Sequence, residues 1–217
     1  MRPLTERVPK ILLEVAGRPF VEWQLETLKR WGFDDVVLCV AYLGGMVREF
    51  VGDGARWGVR VRYVDEGPEL LGTGGALRNA LGVLEPAFLV TYGDSYLPFD
   101  YAAPLKGLLA HDDCDGVMSV YKNDARLDAS NVKTDGTWVV AYEKGTTDPA
   151  FDHIDYGALA LRRSVVEAIA PGRSGLEVVQ TELARRHRMR AVVAESRFFE
   201  IGSPSGLSDL DLHLRQS

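Results

Sequence analysis

Apolar residues follow two different periods along the chain, and the alternation between them predicts the order of helices and strands. From Pro19 to Trp31 the apolar positions recur every three or four residues, which predicts a helix that ends before Gly32. The continuous apolar run 35–42 predicts a strand that is buried on both faces. An alternating run over 59–64 and a second apolar run over 87–92 predict two further strands.

Helical spacing fills the gaps between these three strands. Short helices are predicted over 45–51 and 75–84, so the first half has the order strand, helix, strand, helix, strand. This order is typical of a parallel sheet with right-handed crossovers.

The second half has a mixed pattern. A hairpin is predicted across Asp135-Gly136, because an Asp-Gly pair suits a tight turn between two short strands. Further strands are predicted over 116–121, 155–161, 189–194 and 198–201, and helices over 165–169, 176–187 and 207–214. No linker interrupts the pattern, so we expect one α/β domain over residues 1–217 with a mixed C-terminal part of the sheet.

Composition and charge exclude several classes of protein. The 217 residues are 46% hydrophobic and 26% charged, which is ordinary for a globular domain and argues against disorder. A net charge of −6 argues against a nucleic-acid partner. No apolar run approaches the ~18 residues of a membrane span, and no apolar stretch of a signal peptide follows Met1. We therefore expect a cytoplasmic protein without a membrane partner.

Candidate chemistry lies where the predicted strands end, because ligands of such sheets bind outside the carboxyl ends of the strands. The segment Leu71–Leu77 has three glycines within four residues just before a predicted helix. Glycine lets a backbone approach a ligand closely, and a helix N-terminus offers free N–H groups to phosphate. A plain tight turn would have the same pattern, so the segment alone does not decide between the two.

Acidic and basic residues follow three other predicted strands. Asp94 is of the type that holds Mg²⁺ against a polyphosphate, and Glu200 would supply a second carboxylate. Glu143 would accept hydrogen bonds from sugar hydroxyls, and Lys144 would meet a phosphate. Helix caps and solvated ion pairs remain the structural alternatives for these residues.

In their order and spacing, these segments resemble the sugar-1-phosphate nucleotidyltransferases, also called nucleotide-sugar pyrophosphorylases. The resemblance covers nearly the whole chain and is carried by Arg2-Pro3-Leu4-Thr5, Pro9-Lys10, Leu12-Leu13, Gly17-Arg18-Pro19, Gly72-Thr73-Gly74-Gly75-Ala76-Leu77, Gly93-Asp94, Glu143-Lys144, Gly157 and Ile201-Gly202-Ser203-Pro204. It is strongest to the short, single-domain bacterial members. It implies a Rossmann-like, mixed and mainly parallel sheet flanked by helices, of the nucleotide-diphospho-sugar transferase type.

The resemblance implies a role for each segment. The catalytic residues would be Lys10, Asp94 and Lys144. The nucleotide would be bound by Leu71, Gly72, Thr73, Gly74, Gly75 and Gly93. The sugar phosphate would be held by Glu143, Lys144, Tyr156 and Gly157, and Mg²⁺ by Asp94 and Glu200. Two positions depart from the family pattern, since Glu200 stands where Asp is usual and Asp155 where many members have Asn.

The implied reaction transfers a nucleoside monophosphate from a nucleoside triphosphate to a sugar 1-phosphate of heptose, mannose, glucose or amino-sugar type. Pyrophosphate is released and a nucleoside diphosphate sugar is formed. Such transfers need positioning and charge neutralisation more than covalent help, which suits two carboxylates, Mg²⁺ and two lysines. The alternatives are a catalytically impaired nucleotide-binding protein on the same fold, a related cytidylyl or molybdopterin nucleotidyltransferase, and an α/β domain of another function. A homodimer is left open.

One further departure lies at the N-terminus. In the family, an apolar strand and a Gly-Thr-Arg loop precede the stretch that matches Arg2-Pro3-Leu4-Thr5, whereas Met1 directly precedes it here. Roughly 10–20 residues that the resemblance leads us to expect are therefore not in the sequence. A misassigned start codon, a shortened chain and a natural variant without activity are the three explanations. We expect added residues, a partner chain or a shifted strand to pair with the neighbouring strands.

Overall fold

The structure is a computed structural model and describes residues 7–67, 69–123, 127 and 129–216. The strands are β1 (Glu14–Val15), β2 (Arg18–Pro19), β3 (Asp35–Val40), β4 (Arg60–Asp65), β5 (Ala87–Thr91), β6 (Ser95–Tyr96), β7 (Gly116–Lys122), β8 (Val132–Thr134), β9 (Val139–Tyr142), β10 (His153–Arg162), β11 (Met189–Ala194) and β12 (Phe199–Glu200). The helices are α1 (Phe20–Arg30), α2 (Gly44–Val51), α3 (Gly72–Asn79), α4 (Ala102–Ala110), α5 (Arg163–Glu167), α6 (Glu177–Arg185) and α7 (Pro204–Gln216). Short 3₁₀ turns cover Lys10–Leu12, Ala55–Trp57 and Leu81–Val83.

The chain divides into two compact units. The first unit comprises the described parts of Met1–Leu70, Gly93–Pro98 and Phe198–Ser217. The second unit comprises Leu71–Tyr92 and the described parts of Phe99–Arg197. The expectation of one domain over 1–217 stays a prediction.

The first unit is built on a parallel strand pair and on a small antiparallel pair. β3 and β4 run parallel in the register Asp35↔Arg60, as the sequence order predicts. α1 packs its apolar face on them, and it ends where Gly32 takes a positive φ of +86°. β6 and β12 pair antiparallel. Phe199 of β12, Ile201 after it and Leu210 of α7 form a buried cluster with the start of α1.

The second unit contains a mixed sheet in the order β11-β7-β10-β8-β9, with β5 also paired to β10. β10 is antiparallel to β5, β7 and β8, whereas β11 is parallel to β7. Since β7 occupies one edge of this ten-residue strand, β5 and β8 share the other edge end to end. The expected hairpin is present as β8 and β9.

The mixed α/β class is confirmed, but the prediction of mainly parallel pairing is wrong in detail. Within the described residues, parallel pairing is confined to β3–β4 and β7–β11. β5 was expected beside the first two strands, yet its pairing is antiparallel to β10. The physical reason is that β10 is long and apolar enough to seat several strands, a tertiary effect that a local period does not reveal.

Two helical segments also differ from the sequence pattern. α4 is not predicted, because Ala102–Ala110 is apolar almost all round and has no clear period. The predicted helix 75–84 begins earlier, at Gly72, and breaks into a 3₁₀ turn after Asn79. No helix within the described residues is long and apolar enough to cross a membrane.

The expectation about the N-terminal strand stays a prediction. Among the described residues, β3 pairs only with β4 and β5 pairs only with β10. The stretch Arg2–Thr5, which carries part of the family resemblance, lies outside the described residues.

The long strand β10 contains a break in its register with β7, and a buried serine pairs the backbone groups at this break. The pairing with β7 shifts between Asp155 and Leu159. At this break the hydroxyl of Ser119 donates to the carbonyl of Ala158 (2.6 Å) and accepts from the Ala158 amide (3.2 Å). Ser119 is fully buried, so its hydroxyl pairs backbone groups that water does not reach.

We predict that Ser119→Ala lowers the free energy of unfolding by about 1–3 kcal/mol, because it leaves a buried amide and carbonyl without a partner. Chemical denaturation followed by circular dichroism measures the change. Ser208→Ala, at an exposed position of α7, is the matched control and is expected to be neutral. Equal stability of the two variants would contradict the role given to Ser119.

Candidate functional site

The first unit brings a lysine and an aspartate from distant parts of the chain into an ion pair. Lys10 lies in the 3₁₀ turn after Pro9, and its Nζ is 2.9 Å from Oδ2 of Asp94, which follows β5. Both side chains keep about a third of their surface exposed, at 37% and 34%. The pair is therefore accessible to a ligand that carries both phosphate and metal charge.

The backbone of the segment Glu200–Ile201 lies beside this ion pair. The amide of Ile201 donates to the carbonyl of Asp94 (2.9 Å), and Glu200 stands opposite Ser95 in the β6–β12 pair. A Cβ built on Gly202 would lie 3.8 Å from Nζ of Lys10, with no closer contact. The first unit thus brings together Lys10, Asp94 and the segment 200–202, and Gly93 is exposed next to Asp94.

The backbone contacts bring the segments of two carboxylate residues together, Asp94 and Glu200, and metal binding by these two residues stays a prediction. Among the described residues, no group of three or more His, Cys, Asp or Glu side chains could form a metal cage. Mg²⁺ is commonly held by one or two carboxylates together with phosphate oxygens and water. Asp94 and Glu200 fit that pattern, in which the substrate completes the coordination.

In the second unit, the glycine-rich segment packs tightly against another loop of the same unit. The amides of Gly74 and Gly75 both donate to the carbonyl of Ser174 (2.9 and 3.0 Å). In return, the Ser174 amide donates to the carbonyl of Leu71 (2.8 Å), and the Leu176 amide donates to Oγ1 of Thr73 (2.9 Å). The segment Leu71–Gly75 and the loop 172–176 thus hold each other by four hydrogen bonds.

This packing explains the glycines in physical terms. A Cβ at Gly72, Gly74 or Gly75 would lie within 2.7 Å of a backbone oxygen of the loop 172–175. The expectation that Gly74 and Gly75 leave their N–H groups free for a ligand is therefore wrong, because Ser174 accepts both hydrogen bonds. The nucleotide-binding role of Leu71–Gly75 and Gly93 stays a prediction.

Glu143 and Lys144 are exposed just after β9. The amide of Glu143 donates to the carbonyl of Asn131 (2.9 Å), which fixes its backbone. Nζ of Lys144 is 3.7 Å from a carboxylate oxygen of Glu177 on α6, and its side chain is 59% exposed. So loose and exposed an ion pair costs little to open, which leaves the ammonium group available to a phosphate.

Asp155 lies at the centre of a hydrogen-bond network in the second unit. Its Oδ2 accepts from the hydroxyl of Tyr92 (2.9 Å) and from Nε2 of Gln180 (2.6 Å), and its Oδ1 accepts from the Gly157 amide (3.0 Å). Desolvation raises the pKa of the Asp155 carboxyl, while the hydrogen bonds from Gly157, Gln180 and Tyr92 and the charge of Lys144 oppose that rise. The pKa is raised overall, and the three donors fix the orientation of the carboxyl group.

Two polar atoms in the Asp155 network are buried without a hydrogen-bond partner. They are the hydroxyl oxygen of Tyr142 and Oε1 of Gln180. Desolvation, together with the charge of Asp155, raises the pKa values of the Tyr92 and Tyr142 hydroxyls. Both tyrosine hydroxyls are therefore neutral in the ordinary pH range.

Tyr156 and Gly157 occupy the register break of β10. Tyr156 is 1% exposed, and its ring packs edge-on against Phe99 with a centroid distance of 5.4 Å. Gly157 has a φ of +97°, a conformation that favours glycine. The Tyr156 side chain is thus part of the core, and contact of this segment with a sugar stays a prediction.

Gln180 and Ser174 are the residues of this site that the sequence patterns do not point to. Gln180 is fully buried on α6 between the apolar residues Val179 and Leu183. A glutamine on the buried face of an amphipathic helix is itself a signal, because buried polar groups need partners. Ser174 acts through its backbone, which no sequence pattern reveals.

The chain resembles known nucleotidyltransferases in sequence and in fold. It is 42% identical over 105 residues to an N-acetylmuramate alpha-1-phosphate uridylyltransferase of Neisseria meningitidis, covering 48% of this chain and 45% of that protein. It is 29% identical over 174 residues to a mannose-1-phosphate guanylyltransferase of Mycobacterium tuberculosis, covering 80% of this chain and 48% of that protein. The chain spans about half the length of the curated relatives it matches.

The fold is likewise shared with a solved structure. HddC from Yersinia pseudotuberculosis, in its complex with GMP-PN, superposes with a TM-score of 0.77 at 24% identity, covering 95% of this chain and 90% of that one. The model of the MobA-like NTP transferase domain matches residues 4–196. The expectation of a nucleotidyltransferase family, which the sequence motifs gave, is confirmed. The chain belongs to the family of MobA-like NTP transferase domains.

Proposed function

We propose that the protein transfers a nucleoside monophosphate from a nucleoside triphosphate to a sugar 1-phosphate, forming a nucleoside diphosphate sugar and pyrophosphate. The observation that carries the proposal is the Lys10–Asp94 pair beside the backbone of Glu200, in a chain of the NTP transferase family. Two relatives whose names give this activity, on different sugars, support a sugar 1-phosphate as the acceptor.

Lys10 and Asp94 would act on the triphosphate. The Lys10 ammonium neutralises Asp94 in the free protein, and a phosphate oxygen can replace that carboxylate as its partner. Asp94 and Glu200 would hold Mg²⁺, which supplies positive charge against the phosphates when it is bound. Since the attack on the α-phosphorus concentrates negative charge, the main contribution of these residues is electrostatic.

Lys144 and Glu143 would act on the sugar phosphate. Lys144 is exposed and only loosely paired with Glu177, so it can turn to a phosphate with little loss. Glu143 is an exposed acceptor beside it, of the kind that receives sugar hydroxyl groups. These two residues would therefore orient the attacking phosphate oxygen.

The proposal carries three finer expectations. The reaction needs Mg²⁺, it takes place in the cytoplasm where nucleoside triphosphates are made, and the protein is bacterial like the two relatives named above. A homodimer stays open, and analytical ultracentrifugation would decide it.

The test is pyrophosphate release from each common nucleoside triphosphate, with a panel of sugar 1-phosphates and Mg²⁺. We expect turnover that requires both substrates and stops when the metal is chelated. Calorimetric binding of nucleotide without any turnover would instead favour the impaired binding protein, and would overturn the proposed reaction.

We predict that Asp94→Asn lowers kcat/KM on the order of 10²-fold, because the variant keeps the shape of the side chain but removes the charge facing the metal and Lys10. Steady-state pyrophosphate release measures it. Glu49→Gln, which removes an exposed carboxylate of α2 in the same unit, is the control and should retain full activity. Similar activity of the two variants would exclude Asp94 from the reaction.

We predict that Lys144→Ala raises the KM for the sugar 1-phosphate about 10-fold or more and leaves the KM for the nucleotide unchanged, since a charge-assisted hydrogen bond is lost on one substrate only. The matched control is Lys133→Ala on the exposed side of β8. A rise confined to the nucleotide KM would show that Lys144 has been assigned to the wrong substrate.

A further inference from the structure

Helix α6 contacts β9, β10 and Lys144 beyond the end of β9 at three points along one face, beside the residues proposed to hold the sugar phosphate (Glu143, Lys144, Tyr156 and Gly157). Glu177 faces Nζ of Lys144 (3.7 Å), Gln180 donates to Asp155 (2.6 Å), and Thr181 donates to the carbonyl of Tyr142 (3.2 Å). Positions 177, 180 and 181 are three and four residues apart, so they share one side of the helix. This side of α6 thus faces both β9 and β10.

The start of α6 is fastened to the glycine-rich segment. The Leu176 amide donates to Oγ1 of Thr73, and two residues earlier the carbonyl of Ser174 accepts from Gly74 and Gly75. The three glycines leave no space for a Cβ, so the segment and the loop that leads into the helix pack backbone against backbone. The start of α6 is therefore joined directly to the glycine-rich segment.

Gln180 is the most constrained contact of the helix. Its side chain is fully buried, its amide nitrogen donates to Asp155, and its Oε1 has no hydrogen-bond partner. A buried amide with an unsatisfied oxygen costs stability. An apolar residue of the same size would avoid that cost, so stability alone does not account for a glutamine here.

We propose that α6 is a positioning element shared by two substrate segments, the nucleotide segment Leu71–Gly75 and the sugar-phosphate residues at 143–144 and 156–157. It acts through Gln180 on Asp155 and through Leu176 on Thr73. The inference rests on the proposed function for the identity of the substrates. Gln180 touches no reacting atom; it fixes the Asp155 carboxylate, which in turn holds the Gly157 amide. Since the helix is short and rigid, a shift at one end displaces the other, and filling one segment alters the affinity of the other.

The test compares Gln180→Leu, which keeps the volume but removes the donor, with Thr73→Val, which removes the acceptor of the Leu176 amide. We expect each variant to raise the KM of both substrates roughly 3- to 10-fold, the equivalent of one hydrogen bond. Val178→Ala, on the exposed face of the same helix, is the control and should change neither KM. A merely structural defect would lower the active fraction and leave both KM values unchanged.

Amide hydrogen exchange supplies a second readout that needs no turnover. In Gln180→Leu we expect faster exchange at Gly74 and Gly75, while the amides of the β7–β10 pairing, which report global unfolding, keep their rates. Unchanged exchange at the two glycines, or a KM effect confined to the sugar 1-phosphate, would overturn the proposal. If the wild-type chain turns over no sugar 1-phosphate, the proposed function fails, and the exchange rates still decide whether α6 couples the segments.

Discussion

The break in register between β7 and β10 has to be closed by side chains, because two buried strands cannot leave ladder groups unpaired. Ser119 supplies both bonds to Ala158, and Asp155 accepts from Gly157 on the other side of the break. Asp155 is consequently held in the sheet rather than on a free loop. The network that reaches Tyr92 and Gln180 depends on this placement.

The two units place their acidic side chains in different environments. The first unit places opposite charges next to each other, at Lys10 and Asp94, where water still reaches both side chains. Such a pair is easily exchanged for a ligand, because the ion pair itself adds little stability. The second unit holds the carboxyl group of Asp155 in a desolvated place and surrounds it with hydrogen-bond donors, which gives a fixed geometry instead of an exchangeable one.

The sequence is a good guide to local structure and to the identity of the family. Periods of apolar residues predict α1, β3 and β11 closely, because each has one clear pattern. They fail for α4, which is apolar all round, and for the partner of β5, since pairing is decided by the length of β10. Strand pairing over long distances is a tertiary property that local spacing does not contain.

The site shows the same division. The motif order points to Lys10 and Asp94, and the ion pair brings the two together across 84 positions of sequence. The glycine motif lies at the start of a helix, as the pattern predicts, but the amides of Gly74 and Gly75 donate to the carbonyl of Ser174 instead of being free. Gln180 is missed since its importance comes from one buried contact, which is visible only when β10 and α6 are seen together.

The central claim, transfer of a nucleoside monophosphate to a sugar 1-phosphate, is tested most directly by following the label of the triphosphate. The protein would be incubated with a sugar 1-phosphate and with nucleoside triphosphate carrying ³²P at either the α or the γ position. We expect the α label to appear in a nucleoside diphosphate sugar and the γ label in pyrophosphate. A γ label in orthophosphate or in a phosphorylated sugar would contradict it.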